Sequence, residues 1–271
     1  MDWTLDNSLE LAEGVVRWQS WGEGEPVVLV HGTPYSSFLW RDIAPALSRH
    51  GRRVYVFDHL GYGQSDKHEG QDLTLAAQGR NFAEILSRWG LDRPSVVACD
   101  IGGAITLRAL LLEGAQYSDL TLFDAVTGGE WERGLFAQIR EHHDVFEDLP
   151  AYAHEALVRA HLGNGTSRGY RPGVLEAYLE PWLGTEGHAA FYRQYRQLSQ
   201  SDTAEYEHLL PGLDIPVTLL WGLDDQILPV PYGQWAEQHI PNQGLTWVDA
   251  AGHLLAEDAP AQLLERLTQQ G

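Results

Sequence analysis

The N-terminal third of the chain alternates short apolar runs with longer segments whose apolar residues recur every three or four positions. "GVVRWQSWG" alternates apolar and polar residues, as a half-buried strand does. "PVVLVHG" is short and wholly apolar, the signature of a strand covered on both faces. "SFLWRDIAPALSRHG" has helical spacing and stops at Gly51. "RRVYVFDHLGYGQSD" is a strand that empties into a glycine-rich turn, and "LTLAAQGRNFAEILSRWG" is an amphipathic helix with Gly90 at its stop position. The strand "PSVVACD", the helix "IGGAITLRALLLEG" and the strand "SDLTLFDAV" continue the alternation. Such a pattern implies a parallel sheet with helices on both faces.

After Val126 the period changes. Residues 128–211 are rich in Arg, Glu, Tyr and His and carry helical spacing only, in "EWERGLFAQIREHHDVF", "PAYAHEALVRAHL", "PGVLEAYLEPWLG" and "EGHAAFYRQYRQLSQ". Strand spacing returns with "IPVTLLWG", followed by a helix from Pro231, the strand "LTWVDA" and a closing helix "APAQLLERLTQQ". The pattern predicts one α/β core, residues 1–126 and 212–271, interrupted by a helical insertion at 127–211.

Composition narrows the function classes. With 271 residues, 44% of them hydrophobic, the chain can bury a large core without disulfides or metals. Its 38 acidic and 18 basic residues give a formal charge of -20, which would repel phosphates, so no nucleic-acid partner is expected. No GxxxxGK[ST] phosphate loop is present, and neither a metal nor a cofactor is expected. Cys99 is the single cysteine, so no intrachain disulfide can form. "MDWTLDNSLELAEG" lacks the basic start and apolar centre of a signal peptide, and no run approaches a membrane span. The expected location is the cytoplasm, with no membrane partner.

The candidate chemistry lies in "PSVVACDIGGAI". Asp100 ends an apolar strand and opens a helix, with Ala98 two residues before it and Gly102 two after. Small residues at those offsets fit a sharp strand-to-helix elbow that lifts one side chain above the sheet. An ordinary helix N-cap is the plainer reading of such an aspartate. Cys99 fits less well, because an elbow centred there would need small residues at Val97 and Ile101. Two more groups follow in chain order: "WGLDDQILP" offers Asp224 and Asp225 after one strand, and "DAAGHLLAEDAP" offers His253 after the last. Nucleophile, acid and histidine in this order suit nucleophilic catalysis.

Across nearly its whole length the sequence resembles the α/β-hydrolase fold superfamily, in its aspartate-nucleophile branch. "HGTP" at His31–Pro34 looks like that family's oxyanion loop, "DHLGYGQSD" like its next turn, and "GHLLAEDAP" like its terminal histidine segment. "WGLDDQILP" matches its G-x-x-D-x-x-x-P acid loop, which selects Asp225 over Asp224. The resemblance implies a mostly parallel eight-stranded sheet flanked by helices, with residues 127–211 as a cap over the site. It implies Asp100, His253 and Asp225 as catalytic residues, with Asp124, at the end of the strand after the elbow helix, as alternative acid. Backbone N–H groups of Thr33 and Ile101 become the oxyanion donors.

An aspartate nucleophile is ionised without help from a base. Its attack on saturated carbon gives a stable alkyl ester, whereas attack on a carbonyl would give an anhydride. The expected substrate is therefore a small apolar organic molecule with a leaving group on sp³ carbon, hydrolysed by water through an aspartyl ester. "HGTPYSSFLWRDIAP" and "GYGQSDK" are most similar to haloalkane dehalogenases, which cleave carbon–halogen bonds. Those enzymes usually carry Trp after the nucleophile as a halide donor, where this chain has Ile101; fluoroacetate-type enzymes carry Arg there. Trp131 and Trp182 are the candidate halide donors from the insertion. Epoxide hydrolases are the alternative; they protonate the opened ring with cap tyrosines. Tyr152, Tyr192 and Tyr195 are the leading candidates here, with Tyr170, Tyr178 and Tyr206 also available. A cap-gated small-molecule receptor is the alternative outside enzymes.

Overall fold

The computed structural model of the chain describes residues 3–269. Eight strands form one sheet: β1 (Asn7–Leu11), β2 (Gly14–Trp21), β3 (Glu25–Val30), β4 (Arg52–Phe57), β5 (Ser95–Asp100), β6 (Asp119–Ala125), β7 (Val217–Gly222) and β8 (Leu245–Val248). Their order is β1-β2-β4-β3-β5-β6-β7-β8. Every pairing from β4 to β8 is parallel, while β2 runs antiparallel to both β1 and β4. β5 and β7 are buried along their whole length, which is why both read as unbroken apolar runs. Hydrophobic spacing located seven of these strands. β1 escaped it because "NSLEL" is short and mostly half-exposed, and its pairing from Asn7↔Trp18 to Leu11↔Gly14 is set by the tight turn at Gly14.

Among the described residues six α-helices lie outside the insertion, and α1 (Ile43–Arg49), α2 (Leu75–Trp89) and α3 (Ile101–Leu112) come first. Between β6 and β7 run α4 (Gly134–Glu141), α5 (His143–Glu147), α6 (Ala151–Gly163), α7 (Val174–Leu179), α8 (Gly184–Gln197) and α9 (Gln200–Glu207). Then α10 (Val230–His239), the short α11 (Leu255–Asp258) and α12 (Pro260–Thr268) complete the chain. α2 ends as its spacing predicts, with Gly90 in the left-handed region at φ 69°.

Several expected helices are shorter. The helix expected from residue 37 starts as a 3-10 turn, Ser37–Trp40, whose first N–H, that of Ser37, donates to the buried Asp58 carboxylate at 2.7 Å, and the α-helix begins only at Ile43. "PGVLEAYLEPWLG" ends as a helix at Leu179, just before Pro181, and closes with a 3-10 turn. "EGHAAFYRQYRQLSQ" stops at Gln197, where Leu198 is extended, and Ser199 caps a further helix, α9, that the spacing did not separate. The closing helix was expected to reach Gln270, which lies outside the described residues. Among the described residues no helix is long and apolar enough to cross a membrane.

The topology gathers chemistry at one edge. Thr33, Asp100, Asp124, Asp225 and His253 all stand at or just beyond the C-terminal ends of β3, β5, β6, β7 and β8. That edge is where open parallel sheets hold ligands.

Candidate active site

β5 hands over to α3 without an intervening residue, and Asp100 takes up the bend at φ 49°, ψ -134°. This backbone conformation costs a non-glycine residue ~1–3 kcal/mol, so the surroundings must enforce it. They do so by close approach. A Cβ on Gly102 would lie 2.7 Å from the His31 carbonyl oxygen, and one on Gly32 would lie 2.3 Å from the Asp100 Cβ. Only glycine lets the loop after β3 and the first turn of α3 close around the aspartate. Asp100 is buried, and it stands at the positive end of α3.

Both oxygens of that carboxylate are engaged. The Thr33 N–H donates to Oδ1 at 2.6 Å, and His253 Nε2 lies 3.2 Å from Oδ2. His253 Nδ1 lies 2.9 Å from Asp225 Oδ2. The N–H groups of Ile227 and Leu228 donate to Asp225 Oδ1 at 2.7 and 2.9 Å, which fixes that carboxylate. Carboxylates only accept, so an imidazole bonded to both must carry hydrogen on both nitrogens. Burial works against this charge, but attraction to Asp225 and the hydrogen bonds to Asp100 and Asp225 outweigh it and hold the His253 pKa well above its usual value. The structure thus brings together Asp100, His253, Asp225 and the Thr33 amide; Ile101 opens α3 and lines the cavity beside Asp100.

Asp124 sits at a second strained position, φ 43°. Its Oδ1 accepts the Gly222 N–H at 2.7 Å, and its Oδ2 is buried with no partner. Burial, with Asp225 nearby, pushes its carboxyl well above the usual range. Asp124 therefore ties β6 to the end of β7, and of the two candidate acids the one in contact with His253 is Asp225. Cys99 is buried, and burial pushes its thiol up, away from thiolate character.

The loop at His31–Pro34 is held by buried polar contacts. His31 Nδ1 meets the Gly32 carbonyl at 2.9 Å while its Nε2 accepts the His59 N–H at 3.1 Å, and burial lowers its pKa. His31 is thus a neutral strut. The Thr33 hydroxyl donates to Gln194 Oε1 at 2.8 Å, so its hydrogen is unavailable to a leaving group.

Asp100 faces a cavity of about 280 Å³, walled by Val126, Trp131, Leu135, Phe136 and Leu228, with Thr33, Arg133, His161, Asn164, Tyr195 and Gln226 as its other polar members. Larger clefts of about 510 and 670 Å³ lie elsewhere and contain neither Asp100 nor His253. The expected leaving-group residues separate sharply. Trp131 offers the cavity its ring, but its indole N–H donates to Thr203 Oγ1 at 3.0 Å. Trp182 is buried outside the cavity lining and donates to the Pro34 carbonyl at 2.7 Å, bracing the loop that carries Thr33. Tyr152 is 79% exposed, and the Tyr192 hydroxyl is paired with His154 Nδ1 at 3.0 Å, away from the cavity lining. Tyr170 donates to the Leu162 carbonyl, Tyr178 donates to Glu257, and the Tyr206 hydroxyl is buried without a partner. Of the six tyrosines, Tyr195 is the one that lines the cavity.

The Tyr195 hydroxyl lies 2.6 Å from His161 Nε2. Burial lowers the His161 pKa from 6.5 to about 4, the nearby Asp100 opposes that shift, and His253 adds to it. His161 is therefore neutral near pH 7. Burial also pushes the Tyr195 phenol well above its usual value. Sequence reasoning passed over His161. Its signal was the spacing of His154 and His161, seven residues apart on the buried face of α6. Among the described residues, no group of three or more His, Cys, Asp or Glu side chains is arranged to hold a metal ion.

Comparison with known proteins agrees with this architecture. Residues 25–151 match a family described as the alpha/beta hydrolase fold. A crystal structure of an alpha/beta hydrolase fold protein from Burkholderia ambifaria is 42% identical, covers 98% of this chain and 97% of its own, and superposes with a TM-score of 0.94. Haloalkane dehalogenase 2 of Mycobacterium tuberculosis (strain H37Rv) is 25% identical over 96% of this chain and 92% of its own. A thermophilic esterase from Thermogutta terrifontis shares the fold at 19% identity, covering 95% of this chain and 93% of its own, with a TM-score of 0.79. With an eight-stranded, mostly parallel sheet and a relative of this likeness along almost its full length, the chain belongs to the α/β-hydrolase fold family.

Proposed function

We propose that the protein hydrolyses small apolar epoxides through an ester on Asp100, with residues 127–211 acting as the cap that supplies the acid. The observation that carries this reading is the Tyr195 hydroxyl, paired with His161 at 2.6 Å in the cavity that also contains Asp100. A departing halide is a weak base and needs only hydrogen-bond donors. An opened epoxide leaves an alkoxide, which needs a proton. The indole N–H groups of Trp131 and Trp182 donate elsewhere, and Ile101 has no side-chain donor. The neutral His161 can donate Nε2–H to the phenol oxygen, freeing the phenol hydrogen for an oxygen in the cavity.

In the first step Asp100 attacks one ring carbon, the C–O bond on that carbon breaks, and the ring oxygen takes the Tyr195 proton. Esterification removes the Asp100 charge. His253 then loses one of the interactions that raise its pKa and sheds a proton, which is available to Tyr195. The neutral imidazole is now a base. It takes a proton from water as the water attacks the Asp100 carbonyl carbon, and Asp225 stabilises the imidazolium that forms. The oxyanion develops on the carboxyl of Asp100, within reach of the Thr33 N–H and at the N-terminus of α3, where Ile101 lies. Donors in that role are worth ~10²–10³ in rate each. Collapse expels the second alkoxide, which takes the His253 proton; the diol departs, and the proton left on the Asp100 carboxyl passes to His253, which restores the starting state.

The likeness to a haloalkane dehalogenase favours a second substrate class, alkyl halides attacked by the same carboxylate. Panels of epoxides and haloalkanes separate the readings by product, diol or halide ion. Single turnover in ¹⁸O-water should place label in Asp100. Ligand-dependent melting shifts without turnover on either panel would replace both readings with a binding role.

A further inference from the structure

His161 and His253 belong to different parts of the chain, yet one buried carboxylate fastens both segments that carry them. Asp258, at the end of α11, accepts the Gly252 N–H at 2.8 Å and the Ser167 N–H at 2.7 Å, both on Oδ2. Its Oδ1 accepts the Arg168 N–H at a longer 3.3 Å. Gly252 immediately precedes His253, and residues 165–168 begin two residues after the end of α6, the helix of His161. The seam is closed further by the Leu254 N–H donating to the Gly165 carbonyl at 2.8 Å and by Arg168 Nε donating to the Ala250 carbonyl at 3.1 Å. Contact is tight enough that a Cβ on Gly252 would lie 2.8 Å from the Ser167 nitrogen.

We propose that Asp258 is a positioning residue that sets the spacing between His253 and the His161–Tyr195 pair. The proposal rests on the reading of the site given above. Three N–H groups converge on this side chain, so it must be an acceptor at both oxygens, which an aspartate is and an asparagine is at one only. Without it, the base of the second step and the acid of the first lose their common anchor. Displacements of about 1 Å in such groups can cost ~10² in rate.

The test resolves the two half-reactions in Asp258→Ala and Asp258→Asn by rapid quench and mass detection of the Asp100 ester. Asp258→Ala should slow both ester formation and ester hydrolysis by ~10–10² each, with the fraction of enzyme that forms ester unchanged. Asp258→Asn, which keeps the volume and one acceptor, should recover part of both rates. A fold defect would give the opposite signature, a smaller reactive fraction reacting at wild-type rates, and would overturn the proposal. Should the alanine variant fail to fold, the asparagine variant carries the same measurement. Imidazole ¹⁵N resonances of the substrate-free protein supply an arm independent of chemistry: Asp258→Asn should move those of His253 and His161 together. If wild-type protein esterifies with neither epoxides nor haloalkanes while both rings move, the reading of the reaction fails and the positioning role stands. If both rings stay fixed, the positioning role fails.

Discussion

Replacing Tyr195 with Phe removes one hydroxyl and keeps the ring in its buried place. The phenol is the group that distinguishes epoxide opening from halide loss, because it can give up a proton to an alkoxide, whereas the Asn164 and Gln226 amides in the same cavity can only hydrogen-bond. A positioned general acid is worth ~10²–10⁴ in rate. At ~1.4 kcal/mol per decade, that is about 3–6 kcal/mol on the barrier of ester formation. The substitution also strips His161 Nε2 of its partner in a buried setting, a cost of ~1–3 kcal/mol to the fold. For a chain of this size each kcal/mol lowers Tm by ~2–4 °C, so the variant should melt several degrees lower yet remain folded at 25 °C.

Rapid quench with an epoxide, followed by mass measurement of the Asp100 peptide, reads the first step directly. Ester formation should fall by ~10²–10⁴, while hydrolysis of ester already formed should be unchanged. With a haloalkane that reacts at all, the same variant should lose less than ~10-fold, since halide departure requires no proton. Epoxide opening within about threefold of wild type, in a variant that melts as expected, would refute the assignment of Tyr195 as the acid.

Other substitutions separate the remaining roles. His253→Phe should trap the ester as a stable mass adduct; multiple turnover by that variant would remove His253 as the base. Asp225→Asn should slow ester hydrolysis by up to ~10⁴, as loss of the acid does in other triads. Asp124→Asn should change rates only a few-fold, because that carboxyl is engaged by the Gly222 N–H and has no contact with His253; the reverse ranking of the two would exchange their roles. His161 binds its proton far more weakly when folded, near pH 4 against a usual 6.5, so the unfolded chain takes up more protons between those values. Stability should therefore rise with pH across that window. The His161→Gln variant should show a slope shallower by up to ~1.4 kcal/mol per pH unit in urea melts, and an unchanged slope would contradict a buried neutral imidazole.

The core site was legible in the sequence because its geometry leaves local marks. The elbow needs small residues at fixed offsets, and Gly102 shows why, with no room for a Cβ against the His31 carbonyl. Asp225 and His253 each follow a strand within a few residues, and parallel strands of one sheet deliver their loops to the same edge. A reader of the chain therefore needs only the strand ends to bring these groups into one neighbourhood. Asp124 shows the limit of that logic. It also ends a strand at that edge, and the spacing alone does not reveal that its Oδ1 is taken by the Gly222 N–H.

In the insertion, periodicity tells which face of a helix is buried but not which atom waits on the other side. His154 and His161 share a residue type, a helix and a face. One ends between the Trp182 carbonyl and the Tyr192 hydroxyl, the other against Tyr195 in the cavity. The difference comes from the partners: the Trp182 carbonyl of the 3-10 turn and Tyr192 of α8 meet the first ring, whereas Tyr195, about one turn further along α8, meets the second at the cavity. The same holds for the indoles: Trp131 and Trp182 were reasonable halide donors until the fold supplied Thr203 and the Pro34 carbonyl as acceptors. A buried N–H or O–H is drawn to any protein acceptor in reach, because leaving it unpaired is costly. A donor that faces substrate must therefore be one whose own protein partner can take the opposite role. Tyr195 meets this condition, since a neutral His161 can donate to the phenol oxygen as readily as it can accept from it. Trp131 cannot, for an indole has a single hydrogen and Thr203 already holds it.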